Sequence, residues 1–526
     1  DSTDGEYGKI THNSGENGRG VKVNEGGILY MYSGAISGNT VVGNDTTSAA
    51  GGGVWFNGKF YMYGGEISGN AVEKGNKESA VGGGVFIDGG TFEMTGGEIS
   101  KNTAESDGGG VYTRIFTTFN MKGGTIGGED ESDANTAPKG GGAYVYRSYF
   151  NMSGGTISNN KGTDGGGVYV YFLDCNNNMT GGEISRNTAE NGGGVYVYDS
   201  DSRRTFKISD IKISNNKATK GGGIYVNSEI EMYDNAIISG NEATQKGGGV
   251  YASGTLKMYG GEISENIAEG EGGGIANTNG YVTMTGGEIS QNKGTSGGGV
   301  YAERSFTMSG GKISNNEATT GDGGGVCQTG GSGHFKMSGG EISNNTAAGS
   351  GGGVQAGGYV LLMSGDAKIS GNTAAVNGGG VNVSGSYGLG VAGAASVLGN
   401  SCNDKVNNVY LSAGKTIQIT GELTGIKSIG VTLPTLPTAE KNSVVFANGY
   451  NSGAFSGYNS YSVNESDAAA FSIDGYEDDT NYNVRYGGDN LKLYYGKVHR
   501  HTVCVGTNCT DSHAEVIWEP IGDETA

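Results

Sequence analysis

Between residues 21 and 400 the apolar positions fall in short alternating runs, each cut off by glycines or by an asparagine. Period-2 alternation in pieces this short predicts β-strands, because an amphipathic helix would need longer runs spaced by three and four. A Gly-Gly-Gly triplet begins at 51, 82, 108, 140, 165, 192, 221, 247, 272, 297, 323, 351 and 378, at intervals of 25 to 32 residues that average about 27. Each unit has three parts: the triplet with its strand (Gly-Gly-Gly-Val-Tyr-Val), an apolar-x-Met strand, and Gly-Gly-Glu-Ile-Ser-x-Asn. Three strands and three turns per unit predict one coil of a parallel β-helix, each coil pairing with its neighbours. The expected fold is all-β, a three-sided parallel β-helix (solenoid) of about 13–14 coils with a C-terminal β cap or small β module.

Parity within each strand predicts the faces. The Val or Ile after the triplet points inward, as do the Phe or Leu two before each methionine, the methionine itself, and the isoleucine of Ile-Ser-x-Asn. All 12 methionines occupy one site of the repeat, and the coil that lacks one offers Ile208. Ten lie five residues before the ladder isoleucine; Met232 and Met363 lie six before it. A residue type confined to one repeat site must meet one recurring environment, here a dry interior. Three residues after nearly every ladder isoleucine stands an asparagine, from Asn39 to Asn372. Stacked at one bend, each amide can donate to the next one's carbonyl, so these asparagines read as structural. The triplets read as tight corners needing positive φ rather than as phosphate loops.

Composition narrows the partners. The formal net charge of −20 repels nucleic acid and anionic membrane, and no stretch is apolar enough to span a bilayer. No signal peptide is visible, and Asp1 reads as a processed or trimmed end. Five cysteines in 526 residues do not make a disulfide framework. Glycine-rich disorder would lack the regular Val, Ile, Phe and Met found here.

The Gly-Gly-Gly-Val/Ile and Gly-Gly-x-Ile-Ser-x-Asn units, over roughly residues 21–400, resemble the right-handed β-helix repeats of bacterial adhesin-like surface proteins. They are also similar to the polymorphic outer-membrane-protein repeats, which carry Gly-Gly-Ala-Ile and Phe-x-x-Asn. Phe-x-x-Asn is not a regular unit here, and no translocator barrel or wall-sorting signal is read. The resemblance implies a secreted or surface-displayed passenger, often adhesive.

Residues 1–20 read as an N-terminal cap or tail and 21–430 as the β-helix with a degenerate capping coil. Residues 431–496 read as a small β module or extended cap, and 497–526 as a tail, the start of a further module. In the tail, His501, Cys504, Cys509 and His513 admit either a zinc site or a disulfide; Cys-x4-Cys is loose for a zinc ribbon, and an exported chain favours the disulfide. No metal site or cofactor is assigned.

Function in so regular a stack belongs to its outward ladders and long turns. The outward position of the first strand carries Trp55, Phe86, Tyr112, Tyr144, Tyr169, Tyr196, Tyr225, Tyr251 and Tyr301, and a second tyrosine follows in three successive coils as Tyr146, Tyr171 and Tyr198. Lengthened turns beside them bring Phe172, Arg203 and Arg204. An aromatic surface edged by charge suits a glycan or a host surface protein, and the same column is also explained by cross-strand stacking alone. The candidate ligand-binding set is therefore Tyr144, Tyr146, Tyr169, Tyr171, Phe172, Tyr196, Tyr198, Arg203 and Arg204. The carboxylate column Glu66, Glu98, Glu183, Glu262, Glu288 and Glu341 raises a polysaccharide lyase or glycoside hydrolase, but it recurs with the repeat and reads as a solvated face. The acidic run Glu129–Asp133 reads as a solvated insertion rather than a calcium loop. No catalytic residue is assigned, since His12 and His334 stand apart. A passive stalk is the third reading.

Overall fold

The structure, a computed structural model, describes residues 8–15, 19–44, 49–172, 177–199, 205–330, 333–358, 360–385, 388–438, 441, 443–450, 460–476, 482–495, 497–504 and 512–519, with backbone alone at 172 and from 497 onward. The chain divides into two compact units, residues 1–304 with 311–319, and residues 305–310 with 320–526. Each is a parallel β-solenoid, and together they wind about 15 turns. The glycine triplets undercount the turns because rungs at both ends lack them. Lys9–Thr11 already pairs with Ala35–Ser37 in the first unit, and Phe471–Ile473 pairs with Ile429–Thr432 in the second.

In the first unit three rows of parallel strands run in strict register. Val54, Val85, Val111 and Ala143 lie opposite one another in the row that follows the triplets. Met31, Met62, Met94, Met121, Met152 and Met179 lie in the second row, and Ile208 continues it. Ile10, Ile36, Ile67, Ile99, Ile126 and Ile157 lie in the third. A slip of one residue would turn every inward side chain to solvent, so the alternation itself holds the register. All 12 methionines are at most 6 % exposed, and Ile208 is fully buried. Each such rung side chain contributes roughly 1.5–3 kcal/mol through burial. The second unit repeats the plan, with Phe335 opposite Leu361 and Met337 opposite Met363.

A fourth, shorter ladder follows the asparagine bend, where Thr40–Val42, Ala71–Glu73 and Thr103–Ala104 pair in parallel. It was not expected, because strands of two or three residues leave no periodicity to read. The triplet explains itself at Gly82, Gly83 and Gly84. Gly82 has φ +68, and a Cβ on Gly83 or Gly84 would lie 2.5 or 2.6 Å from a carbonyl oxygen of the next coil. Only glycine lets the backbones close to this distance.

The asparagine ladder forms as expected. From Asn13 to Asn316 in the first unit, each Nδ2 donates to the next Oδ1 at 2.9–3.0 Å. The backbone N–H of Asn216 joins its side chain on Asn241 Oδ1, and its second amide hydrogen goes to Ile184 O at 2.9 Å. Both donors and the acceptor are thus used, as burial demands. Asn135 fills the one gap left by the three-residue rule. The acidic insertion loops out as a 3₁₀ turn at Glu131–Asp133, and the chain rejoins the ladder through Asn135, bonded on both sides at 2.9 Å.

At the C-terminal end of the second unit, Ser443–Gly449 pairs in parallel with Ile417–Leu423 and antiparallel with Asn490–Tyr495, which takes Tyr482–Tyr486 on its other edge. The last rungs therefore pass into a small antiparallel sheet. Lys497–Cys504 and Ser512–Glu519 form an antiparallel hairpin. The side chains of His501, Cys504 and His513, and all of Cys509, lie outside the described residues.

Candidate ligand-binding site

Parallel in-register pairing stacks identical outward side chains at the strand spacing, about 4.8 Å. The rings of Phe86, Tyr112, Tyr144, Tyr169, Tyr196, Tyr225 and Tyr251 accordingly form one continuous stack, with centroids 4.7–5.4 Å apart and planes 9–27° apart. Stacking uses the ring faces: Tyr144 and Tyr169 are only 6 % and 5 % exposed. Lys139 sits 5.9 Å from the Tyr169 ring and Lys220 5.7 Å from that of Tyr251, adding cation–π contacts. Burial, seconded by neighbouring phenols and Asp107 or Asp164, pushes the phenols of Tyr144, Tyr169 and Tyr196 well above the ordinary tyrosine range. These hydroxyls hold their protons, and the middle of the column is packed rather than presented.

The second row is more open. Tyr146, Tyr171 and Tyr198 come together as expected, half-buried, at 5.3 Å centroid spacings with tilts of 37° and 27°. Of the remaining candidates, Arg203, Arg204 and the Phe172 side chain lie outside the described residues.

A second tyrosine surface was missed. Tyr30 and Tyr32 flank Met31, and Tyr61 and Tyr63 flank Met62, so an inward methionine forces all four rings outward. Tyr30 stacks on Tyr61 at 5.3 Å and Tyr32 on Tyr63 at 5.0 Å. Tyr30, Tyr32 and Tyr63 are 52 %, 68 % and 44 % exposed. The signal is the repeated Tyr-Met-Tyr, whose inward methionine sets both neighbours outward.

The acidic features are compensated in part. Lys212 lies 3.5 Å from Glu183 and Lys368 3.8 Å from Glu341, and Ser314 Oγ donates to Glu288 at 2.9 Å. In the insertion Lys101 pairs with Asp133 at 3.3 Å and Lys161 with Glu131 at 3.4 Å. Among the described residues no three His, Cys, Asp or Glu side chains converge as a metal site would require, and no helix is long and apolar enough to cross a membrane.

Residues 210–227 match the family model of the Chlamydia polymorphic membrane protein repeat. This stretch runs from the ladder step Ile213-Ser-Asn-Asn216 through the triplet at 221 to Ile224-Tyr-Val226, that is, from one buried asparagine bend to the next inward strand. No curated protein and no solved structure matches the chain. The matched rung is built like its neighbours, and the chain is a parallel β-solenoid of which residues 210–227 are similar to the polymorphic membrane protein repeat.

Proposed function

We propose that the chain is a surface-displayed, adhesin-like solenoid that binds a glycan or a host surface protein through its outward tyrosines and performs no catalysis. The observation that carries this reading is the pinning of tyrosines at fixed intervals of about 5 Å on a rigid sheet face. Tyr146, Tyr171 and Tyr198 make one such row, and Tyr30, Tyr32, Tyr61 and Tyr63 another. Tyrosine offers a large contact area at little entropic cost, with a hydroxyl for hydrogen bonding. Stacking accounts fully for the buried Tyr144 and Tyr169, and for those two the stalk reading suffices. It does not account for rings left half open to water.

The test is a screen of the full chain on immobilised glycans and host surface proteins, repeated with Tyr146, Tyr171 and Tyr198 changed together to serine and with Tyr30, Tyr32, Tyr61 and Tyr63 changed likewise. Loss of binding in either variant, with the fold kept by circular dichroism, supports the reading. Binding that survives both removes the tyrosine rows as the site, and no binding by the parent chain leaves the stalk. New reducing ends or unsaturated products in a polysaccharide digest would instead establish an enzyme.

A further inference from the structure

The residue after each inward methionine points outward, and in the first unit this position reads Tyr-Tyr-Thr twice: Tyr32, Tyr63 and Thr95, then Tyr233, Tyr259 and Thr285. Each tyrosine pair stacks, Tyr32 on Tyr63 at 5.0 Å and Tyr233 on Tyr259 at 5.2 Å. The stack then stops, because the next rung offers a threonine. In the packed column Tyr169 has a ring on either face, Tyr144 and Tyr196, and is 5 % exposed. Tyr63 and Tyr259 meet a ring of the preceding rung but only a threonine of the following one, and they are 44 % and 42 % exposed. Their other faces look across Thr95 and Thr285, and both threonines stay exposed, so neither ring leans over its neighbour. Where Tyr251 meets Ala276 in the first row the slot is closed instead, and Ala276 is fully buried.

We infer that each of these two slots seats one pyranose ring of a neutral glycan, so that the first unit grips a repeating polysaccharide at two points on one sheet face. This rests on the reading of the outward tyrosines as a binding surface. An open tyrosine face packs the C–H face of a sugar. The tyrosine and threonine hydroxyls both donate and accept, as sugar hydroxyls do. The nearest charges neutralise each other: Glu93 with Lys122 at 3.0 Å beside the first slot, and Glu229 with Lys257 at 2.8 Å beside the second. A ligand charge would therefore find no partner there, and an anionic ligand would also meet a chain of net charge −20. A peptide would bring backbone amides that need partners. The strands here already pair with their neighbours, the Thr95 N–H donating to Met62 O and the Thr285 N–H to Met258 O. Seven rungs of the second row separate Tyr63 from Tyr259, about 34 Å at the strand spacing. A polymer crosses that distance and a short oligosaccharide does not.

The test counts sites. Titration calorimetry of the full chain with neutral tetrasaccharides of glucose, mannose and xylose should give two bound per chain for at least one of them. Tyr63→Ser or Tyr259→Ser should leave one and the double variant none, each with the fold kept by circular dichroism. A soluble polymer of the same sugar should bind the parent at least about tenfold more tightly than either single variant, because its second contact is intramolecular. The triple serine variant at Tyr146, Tyr171 and Tyr198 should leave the count at two. The inference is overturned if no tetrasaccharide binds, if the parent count is other than two, if the double variant keeps that count, or if the polymer binds the single variants as tightly as the parent. It is overturned equally if uronate oligomers or proline-rich peptides bind at these tyrosines and neutral sugars do not. In that case, or if a glycan or host protein is lost only in the triple variant, the tyrosine surface stands while the two slots fall. A parent chain that binds nothing sinks both.

Discussion

Asn408 gives both its backbone N–H and its side-chain N–H to the carboxylate of Asp474, at 2.6 and 2.7 Å. In the second unit the amides run from Asn345 through Asn372 and Asn400 to Asn408, each donating to the next. Aligned amides polarise one another and leave donors at the far end. A carboxylate is a fitting terminus for the same reason that acidic groups stabilise helix N-termini. Thr432 adds a third donor to Asp474 at 2.6 Å. Asp474→Ala should therefore strand buried donors and cost about 3 kcal/mol. Asp474→Asn, which keeps one acceptor, should recover part of it. Urea unfolding gives the magnitude, and amide exchange at Asn408 gives the place. Unchanged protection at Asn408 in the alanine variant would show that the ladder needs no terminus.

Methionine and glycine sites of the repeat depend on each other across coils. A Cβ on Gly97, at φ +85, would lie 2.6 Å from Met62 Cε, and the same holds at about this distance for Gly124 over Met94 and Gly155 over Met121. The flexible thioether reaches into the space that glycine leaves. Gly97→Ala should cost about 3 kcal/mol, from the left-handed backbone and from overpacking. Met62→Ala alone should cost about 2–5 kcal/mol. The double variant should cost less than the sum by about 1 kcal/mol, since the smaller side chain admits the new methyl. Strict additivity in this cycle would mean that the two sites are unrelated.

That dependence also shows why the fold was legible in the chain and the site much less so. The inward set is written once per coil, so Met, Phe, Ile and Asn positions declare themselves by recurrence. Asn135 escaped because the insertion before it breaks the count, and the fourth ladder escaped because its strands are two or three residues long. Outward residues carry no such redundancy. Tyr144 and Tyr169 follow the pattern and turn out to be packed, whereas the exposed array at Tyr30, Tyr32, Tyr61 and Tyr63 occupies only two coils.

Before most ladder asparagines the backbone is left-handed even where the residue is not glycine, with φ +59 at Lys101, +57 at Arg186, +58 at Glu265 and +58 at Gln291, whereas Ala134, ahead of Asn135, has φ −55. Gly69 and Gly240 hold the same place at +61 and +63. A side chain in this region costs about 1–2 kcal/mol, partly offset by the greater freedom that glycine has when unfolded. Glu265→Gly should stabilise the first unit by about 1 kcal/mol, and Glu265→Val should destabilise it. Thermal or urea unfolding checks the order, and a valine variant as stable as the parent would contradict the bend geometry.

The stacked phenols make stability depend on alkaline pH. Burial raises Tyr112, Tyr144, Tyr169 and Tyr196 above their ordinary value of 10.0. The folded chain therefore holds these protons more tightly than the unfolded chain does. Below pH 10 both states are protonated and the contribution is whole; above it the unfolded state ionises first, and stability falls as pH rises toward the folded values. The expected outcome is that the phenolate absorbance of these four tyrosines grows together with the loss of the β-sheet circular dichroism signal, not before it. Their share is the difference between the parent chain and a variant with all four changed to phenylalanine. That variant should keep the stack, lose no hydrogen bond on which the fold depends, and resist alkali to a higher pH. Phenolate appearing while the sheet signal is intact would mean that the column is open to water, and the rows beside it would then have to be reconsidered as a single exposed surface.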